Sequence, residues 1–197
     1  MKPKTILAVL VFLLVANLSA DAQQYQSQSQ PQTQPQSQSL TPQQQVSRDA
    51  TREKLRAVLG AFGPKINVSF RQSDKEPYNF VGIVSQGLKN AGSFEIVISV
   101  TAQESIHFRI YPHYAGRYVN IDKVRNGSGL MRQMVQLSDK NFLYWGADGP
   151  GDIFAGYNFT LESGFPEASI RVVLNSIALL DQFLGQMRPA IDGSSAP

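Results

Sequence analysis

Few residues in this chain have the chemistry of a catalytic or metal-binding group. Its 197 residues include two histidines, His107 and His113, and no cysteine. A zinc site normally takes three or four Cys, His or carboxylate ligands, and a spacing of six residues does not match the histidine pairs of a helix or a hairpin. We therefore interpret both as surface histidines and expect no metal ion.

Motifs for nucleophilic or nucleotide chemistry are incomplete. A serine hydrolase needs an activated nucleophile and usually a His base, and the sequence has no Gly-x-Ser-x-Gly elbow. A dinucleotide loop starting at Gly127-Ser128-Gly129 would need a third glycine where Arg132 stands. A dinucleotide loop starting at Gly149 and Gly151 would likewise need a third glycine where Phe154 stands. We expect no catalytic residue and no cofactor.

Two carboxylates flank a short segment rich in glycine. Asp148 and Asp152 lie on either side of Gly149-Pro150-Gly151. They could share a cation or act as an acid/base pair, but two carboxylates make an incomplete calcium site. Aspartate at the ends of a turn commonly accepts hydrogen bonds from the backbone of the turn. We favour the interpretation as a turn.

The most distinctive polar group is a row on one predicted strand. His107, Arg109 and Tyr111 recur at every second residue, which places them on the same face of a strand. Tyr and Arg are favoured where proteins bind partners, so this row is a candidate surface for a protein or peptide. The solvated side of a meander strand has the same pattern, and this alternative stays open.

The elements that carry these residues follow from the periodicity of the apolar positions. Helices are predicted over 48–62, 129–138 and 166–187. Strands are predicted over 66–71, 79–84, 93–101, 105–111, 141–147 and 152–161. Ser47 or Asp49 is expected to cap the first helix, and Pro112 to end the fourth strand. The segment 113–126 has no clear pattern.

The order of helix, three-strand meander, helix, hairpin and long helix, written α-β-β-β-α-β-β-α without the additional strand over 66–71, predicts an α+β fold. Antiparallel strands with helices on one side form a two-layer sandwich. The last helix is apolar over more than half of its circumference, with Val172, Leu179 and Phe183 widening the stripe. One sheet covers only part of such a helix, so the chain is a candidate homodimer.

The N-terminal residues predict export from the cytoplasm. Lys2 and Lys4 precede an apolar run of about 11 residues, which is short of the ~20 that span a bilayer, and small residues follow up to Ala22. We predict a cleaved signal peptide over 1–22 and a secreted or periplasmic protein without stable membrane insertion.

A tether and a single domain follow the signal. Residues 23–46 are mostly Gln, Ser and Pro and are expected to be a disordered tether. One domain over 47–190 and a short disordered tail over 191–197 complete the chain. Loss of two lysines and one aspartate with the signal changes the net charge from +3 to +2, which is too weak to indicate a nucleic-acid partner.

The layout resembles that of known bacterial proteins. The predicted order of elements is similar to the fold of type III secretion chaperones. The segments 130–137, 141–145 and 154–161, followed by Leu180-Asp181-Gln182-Phe183-Leu184, also follow the layout of the YbjN-like family, often labelled sensory transduction regulators. The resemblance covers residues 48–188, and it implies a dimer-forming scaffold that binds proteins. The family has no catalytic motif, so the resemblance implies no catalytic residue.

We therefore expect an exported protein-binding module that is not an enzyme, in envelope processes or signalling. Two alternatives stay open. One is an envelope hydrolase that uses His107 or His113, and the other is a carrier that holds a small molecule between the sheet and the helices.

Overall fold

The computed structural model of the protein describes residues 40–194. It has an α+β fold, which confirms the predicted class. The helices are α1 (Pro42–Phe62), α2 (Gly127–Lys140), α3 (Glu167–Asn175) and α4 (Ile177–Ile191), and a short 3-10 helix spans Gly63–Ile66. The strands are β1 (Arg71–Gln72), β2 (Asn79–Val84), β3 (Ser93–Val100), β4 (Ser105–Tyr114), β5 (Arg117–Tyr118), β6 (Tyr144–Ala147) and β7 (Ile153–Thr160).

The strands form one antiparallel sheet with the order β1-β2-β3-β4-β7-β6, and β5 pairs with the end of β4. Alternation of buried and less buried residues along β2, β3 and β4 follows the period of two expected for a sheet with one face in the core. The inward side chains of β3 and β4 are almost completely buried and belong to one cluster with the apolar stripes of the helices. The two-layer arrangement therefore has its core between the sheet and the helices.

The first helix begins earlier than predicted. It starts at Pro42 rather than Arg48, and its cap is Thr41 rather than Ser47 or Asp49. The Thr41 hydroxyl accepts from the Gln44 amide at 3.2 Å, and the Gln44 side chain accepts from the Thr41 amide at 3.0 Å. Proline suits the first position of a helix, because that N–H has no partner within the helix. Residues 42–46 are thus helical, whereas 23–39 and the predicted signal peptide lie outside the described residues.

Polar contacts join the N-terminal half of α1 to the sheet. The Arg48 guanidinium lies 3.5 Å from the centroid of the Tyr78 ring and donates to the Val100 carbonyl at 3.0 and 2.8 Å. The Tyr78 hydroxyl donates to the Asp49 carboxylate at 2.7 Å. The N-terminal half of α1 is therefore held at one end of β2 and β3 by polar contacts rather than by an apolar stripe.

The predicted strand over 66–71 is wrong for most of its length. Asn67 has a φ of 55°, in the left-handed region, and this turns the chain after the 3-10 helix. The Val68 amide donates to the Gly63 carbonyl at 2.9 Å, and Val68 is only 2% exposed. An added Cβ on Gly82 of β2 would lie 2.6 Å from Val68 and 2.7 Å from Phe70. The alternating apolar residues are thus buried by packing over a glycine of β2, and not by strand pairing.

Pro112 does not end the fourth strand. The pairing of β4 with β7 stops at Ile110, but its pairing with β3 continues to His113. The Pro112 carbonyl accepts from the Val119 amide, so the backbone of Pro112 forms its hydrogen bond on the side away from β3. The N–H that proline lacks is therefore not needed in the ladder between β3 and β4. The segment 113–126 is correspondingly less irregular than predicted, because β4 and β5 form a small hairpin in it.

The hairpin and the middle helix are close to their predicted positions. Asn126 caps α2, which extends the predicted helix by two residues at each end. Strands β6 and β7 are joined by the predicted turn over 148–151, in which Gly151 has a φ of 88°. Asp148 accepts from the Asp152 amide at 2.9 Å, as favoured for a turn.

The predicted last helix is divided into two. The break falls at Ser176, whose hydroxyl donates to the Val173 carbonyl at 2.6 Å and competes with the regular helical pattern. Helix α4 continues to Ile191, beyond the predicted end at Met187. The segment Glu167–Ile191 is long and apolar enough to cross a membrane by composition, but half of its most apolar window is buried in the domain.

Candidate protein-binding surface

One face of the sheet is turned away from the helices of the described part of the chain. We call it the open face, and it comprises Val81, Ile83, Glu95, Val97, Ser99, His107, Arg109, Tyr111, His113, Tyr118, Tyr144, Phe154 and Asn158. Most of these side chains are half-buried or exposed, and they alternate with the core positions of the same strands. Within residues 40–194, the open face is therefore the side of the sheet that the helices leave uncovered.

The predicted row lies in the middle of this face. His107, Arg109 and Tyr111 are on β4, which is flanked by β3 on one side and β7 on the other. Arg109 is the register partner of Val97 on β3 and of Gly156 on β7. The spacing of two residues thus places the three side chains together, as predicted, and their role in binding stays a prediction.

An aromatic group lies beneath the row. Phe154 belongs to the open face but is only 6% exposed, because other side chains cover its ring. Its centroid lies 4.8 Å from the Arg109 guanidinium, 5.6 Å from the Tyr111 ring and 6.1 Å from the Tyr144 ring. Tyr111 also meets Tyr118 edge-on at 5.8 Å. Arg109 and Tyr111 are therefore supported by packing rather than extended freely into solvent.

A glycine beside Arg109 leaves space for an aromatic ring on the open face. Gly156 has Arg109 as its partner on one side and Tyr144 on the other. The Tyr144 ring lies across Gly156, where an added Cβ would overlap it. Phe154, Tyr144 and Gly156 were not assigned to a site from the sequence. The available signal was the apolar run Ile153-Phe154-Ala155, which indicates partial cover on both faces of β7.

The titratable groups of the row influence each other. Burial, followed by the charge of Arg109, lowers the pKa of the His107 imidazole from its ordinary value. Burial also raises the pKa of the Tyr111 phenol, an effect that Arg109 opposes and Asp148 reinforces. Because the imidazole is neutral at pH 7, the guanidinium is the cationic group of this row.

Tyr118 closes one end of the open face. Its hydroxyl donates to the Glu95 carboxylate at 2.9 Å, and its ring lies 4.2 Å from the His113 ring. Burial is the largest cause that raises the pKa of Tyr118 to about 12, and the hydrogen bond to Glu95 adds to it. The hydrogen bond requires a protonated phenol, so folding favours the neutral form of this side chain.

We expect the Tyr118→Phe variant to lose less stability than the wild type at high pH. The folded-state pKa lies above the ordinary value of 10, so the contribution of Tyr118 is complete below pH 10 and is lost as pH rises through about 12. Urea unfolding at several pH values in this window measures the difference between the two proteins. The difference should shrink with rising pH, and Tyr144→Phe, at an exposed tyrosine of the open face, is the control. A constant difference would contradict the assigned cause.

The histidines do not form a joint site. They lie on one strand six positions apart, which separates them by roughly 20 Å. His107 Nε2 lies 3.0 Å from the Ser105 hydroxyl, which in turn lies 2.7 Å from the Thr101 hydroxyl. His113 Nε2 is buried and has no hydrogen-bond partner within residues 40–194. The same residues contain no group of three or more His, Cys, Asp or Glu that could hold a metal ion.

Comparison with solved structures gives a match for this chain, whereas comparison of its sequence with known proteins does not. No protein-family model matches the sequence, and no curated protein sequence matches it. One similar solved structure is the crystal structure of the ExsC–ExsE complex, with 16% sequence identity and a TM-score of 0.41. The similarity covers 73% of this chain and 98% of the other chain. The secretion-chaperone layout expected from the sequence stays a prediction. The YbjN-like family stays a prediction.

Proposed function

We propose that the chain is an exported protein-binding module that is not an enzyme, and that its open face binds the partner. The observation that supports this most directly is the one-sided sheet. Within the described residues, the helices pack on one face, and aromatic, aliphatic and arginine side chains line the other. Tyr and Arg are the residue types enriched where binding energy is concentrated in protein interfaces.

The rigidity of the open face also favours binding. Its central residues lie on β3, β4 and β7, which pair over most of their lengths, and not on loops. The cluster around Phe154 restricts the Arg109 and Tyr111 side chains before a partner arrives. A surface that is already ordered loses less conformational entropy on binding, so more of the contact energy contributes to affinity.

Export and self-association belong to the same proposal. The run of apolar residues after Lys2 and Lys4 supports a location outside the cytoplasm. Val172 of α3 is exposed, and Leu179 and Phe183 of α4 are half-buried, which supports a homodimer through this side of the domain. Such a dimer would leave the open face accessible, because α3 and α4 pack on the opposite side of the sheet.

The contact between Ser105 and His107 favours the hydrolase as the second candidate. A neutral histidine within hydrogen-bond distance of a serine hydroxyl is the core of a nucleophile–base pair. The Ser105 hydroxyl, however, also meets Thr101 and so closes the β3–β4 turn. The ion pairs of the described residues give His107 no carboxylate to orient it. The pair is thus better explained as part of the turn.

We expect replacement of Val97 by Arg to reduce capture of the partner strongly. Val97 lies on β3 beside Arg109, so a long charged side chain there would cover the centre of the open face. The measurement is a pull-down from the envelope fraction of the native host with wild type, Val97→Arg and the control Val135→Arg, whose site on α2 is 71% exposed. A captured protein should be retained by wild type and by the control, and reduced about tenfold or more by Val97→Arg.

Two outcomes would contradict this proposal. A partner retained equally by all three proteins would place binding elsewhere, and capture lost equally in both variants would show no dependence on the open face. Circular dichroism compares the folding of the variants. If Val97→Arg is unfolded, Ile83→Arg on β2 replaces it, because Ile83 is 54% exposed and tolerates a larger side chain.

A further inference from the structure

Arg109 also belongs to a second row of residues, the cross-strand row, which crosses the open face from strand to strand. The register pairs Val81 with Val97, Val97 with Arg109, Arg109 with Gly156, and Gly156 with Tyr144. Neighbouring strands are about 4.8 Å apart, so this row extends over roughly 19 Å. An extended peptide of about six residues has the same length.

The middle of the cross-strand row is cationic and its ends are apolar. The exposed Arg109 guanidinium is held over the Phe154 ring at 4.8 Å. Val97 and Val81 lie on one side of it, and Tyr144, lying across Gly156, is on the other. A ligand that matches this order has one negative charge flanked by apolar groups.

The nearby carboxylates already have other partners. Glu95 accepts from the Tyr118 hydroxyl at 2.9 Å, and Asp148 accepts from the Asp152 amide at 2.9 Å. The ion pairs formed within residues 40–194 do not include Arg109. An arginine that is exposed, oriented by an aromatic ring and without an ion pair offers a fork of donors to an incoming carboxylate.

We propose that the open face binds an extended segment of a partner protein in which an Asp or Glu lies between apolar residues, with its carboxylate on Arg109. This inference rests on the proposed binding function and specifies the chemistry of the partner. The guanidinium selects the acidic side chain, and Val97 and Tyr144 contact the apolar residues on either side of it.

Selection from a phage-displayed library of random dodecapeptides tests the inference with the full chain. Wild type should enrich peptides with one Asp or Glu between apolar residues. An enriched peptide is then synthesised together with its Glu→Gln or Asp→Asn form, and both are titrated against wild type, Arg109→Gln and the control Arg132→Gln. Removal of the carboxylate should weaken binding roughly tenfold for wild type and for the control, and should have no effect on Arg109→Gln.

The possible results separate this inference from the proposed function. Peptides that bind wild type, fail to bind Val97→Arg and show no preference for an acid would overturn the carboxylate site and leave the binding function in place. Failure to enrich any peptide that depends on Val97 would overturn both. Enrichment of Gln- and Ser-rich peptides like residues 23–39, or a sedimenting dimer that Arg109→Gln dissociates, would assign the surface to this chain itself and also overturn the inference.

Discussion

Replacement of Asp181 by Ala should lower the free energy of unfolding by about 4 kcal/mol. Asp181 lies on α4 and is only 5% exposed. Its carboxylate accepts from the backbone amides of Lys89, Asn90 and Ala91 at 2.8, 3.0 and 2.8 Å. The Asn90 side chain adds a longer contact of 3.3 Å. One carboxylate therefore fastens the loop between β2 and β3 to the C-terminal helix.

The expected loss is large because the donors cannot find other partners in the folded protein. Alanine would leave three backbone N–H groups in a part-buried site without an acceptor, and each unsatisfied donor costs about 1–3 kcal/mol. Water entering the vacated space would recover some of this energy, which is why the expected total is less than a simple sum. The loop should also gain mobility, since no other hydrogen bond joins these three amides to α4 within the described residues.

Two further variants make the test specific. Asp181→Asn keeps one acceptor oxygen, so we expect about half of the loss. Asp139→Ala removes an exposed carboxylate from α2 and should change stability by less than about 0.5 kcal/mol. Urea unfolding of the three variants and wild type gives the comparison. A loss below about 1 kcal/mol for Asp181→Ala would show that the loop is held by its apolar contacts instead.

Asp181 also shows which part of a buried polar site can be predicted from the sequence. It lies between Ile177 and Leu184 at helical spacing, and a carboxylate within such an apolar stripe needs a buried partner. Its partners are backbone amides of a loop far away in the sequence. Backbone amides carry no sequence signal, so the partners could not be predicted even where the buried position could be.

The fold was predictable where burial has a simple period. Strands β2 and β3 have one face in the core, so their alternation determines both the boundaries and the inward residues. The break of the last helix at Ser176 was not predictable in this way, because the apolar stripe continues across it. The local competition from one serine hydroxyl decides the geometry there.

The candidate surface was predictable in part for a related reason. The period of two places His107, Arg109 and Tyr111 on one face without any knowledge of other strands. The support from Phe154 and Tyr144 depends on the register of β4 with β7 and of β7 with β6. Register between strands that are distant in sequence depends on packing of the whole sheet, so the composition of the face emerges only in the folded protein.

The segment after the first helix shows most clearly what the sequence pattern does not determine. Two glycines at this point of the chain allow a matched pair of variants. Gly60 and Gly63 are three residues apart at the end of α1 and in the following 3-10 helix. An added Cβ at Gly60 has nothing within 4 Å, whereas one at Gly63 would lie 2.5 Å from the Val68 carbonyl oxygen and 3.0 Å from the Phe70 ring. The sequence pattern places Gly60 inside the predicted helix and Gly63 just after it, but it does not tell which of the two has room for a side chain.

We expect Gly60→Ala to stabilise the protein by about 1 kcal/mol and Gly63→Ala to destabilise it by about 3 kcal/mol. Alanine reduces the freedom of the unfolded chain at both positions, and the φ of −49° at Gly63 suits it. At Gly63, however, the obstacle is backbone that cannot move away, because the Val68 amide donates to the Gly63 carbonyl and the Val68 side chain is buried. Thermal and urea unfolding of both variants measure the opposite signs. Stabilisation by both alanines would show that the turn at Asn67 yields easily, and that Val68 and Phe70 are free to adopt the extended pairing that their alternation favours.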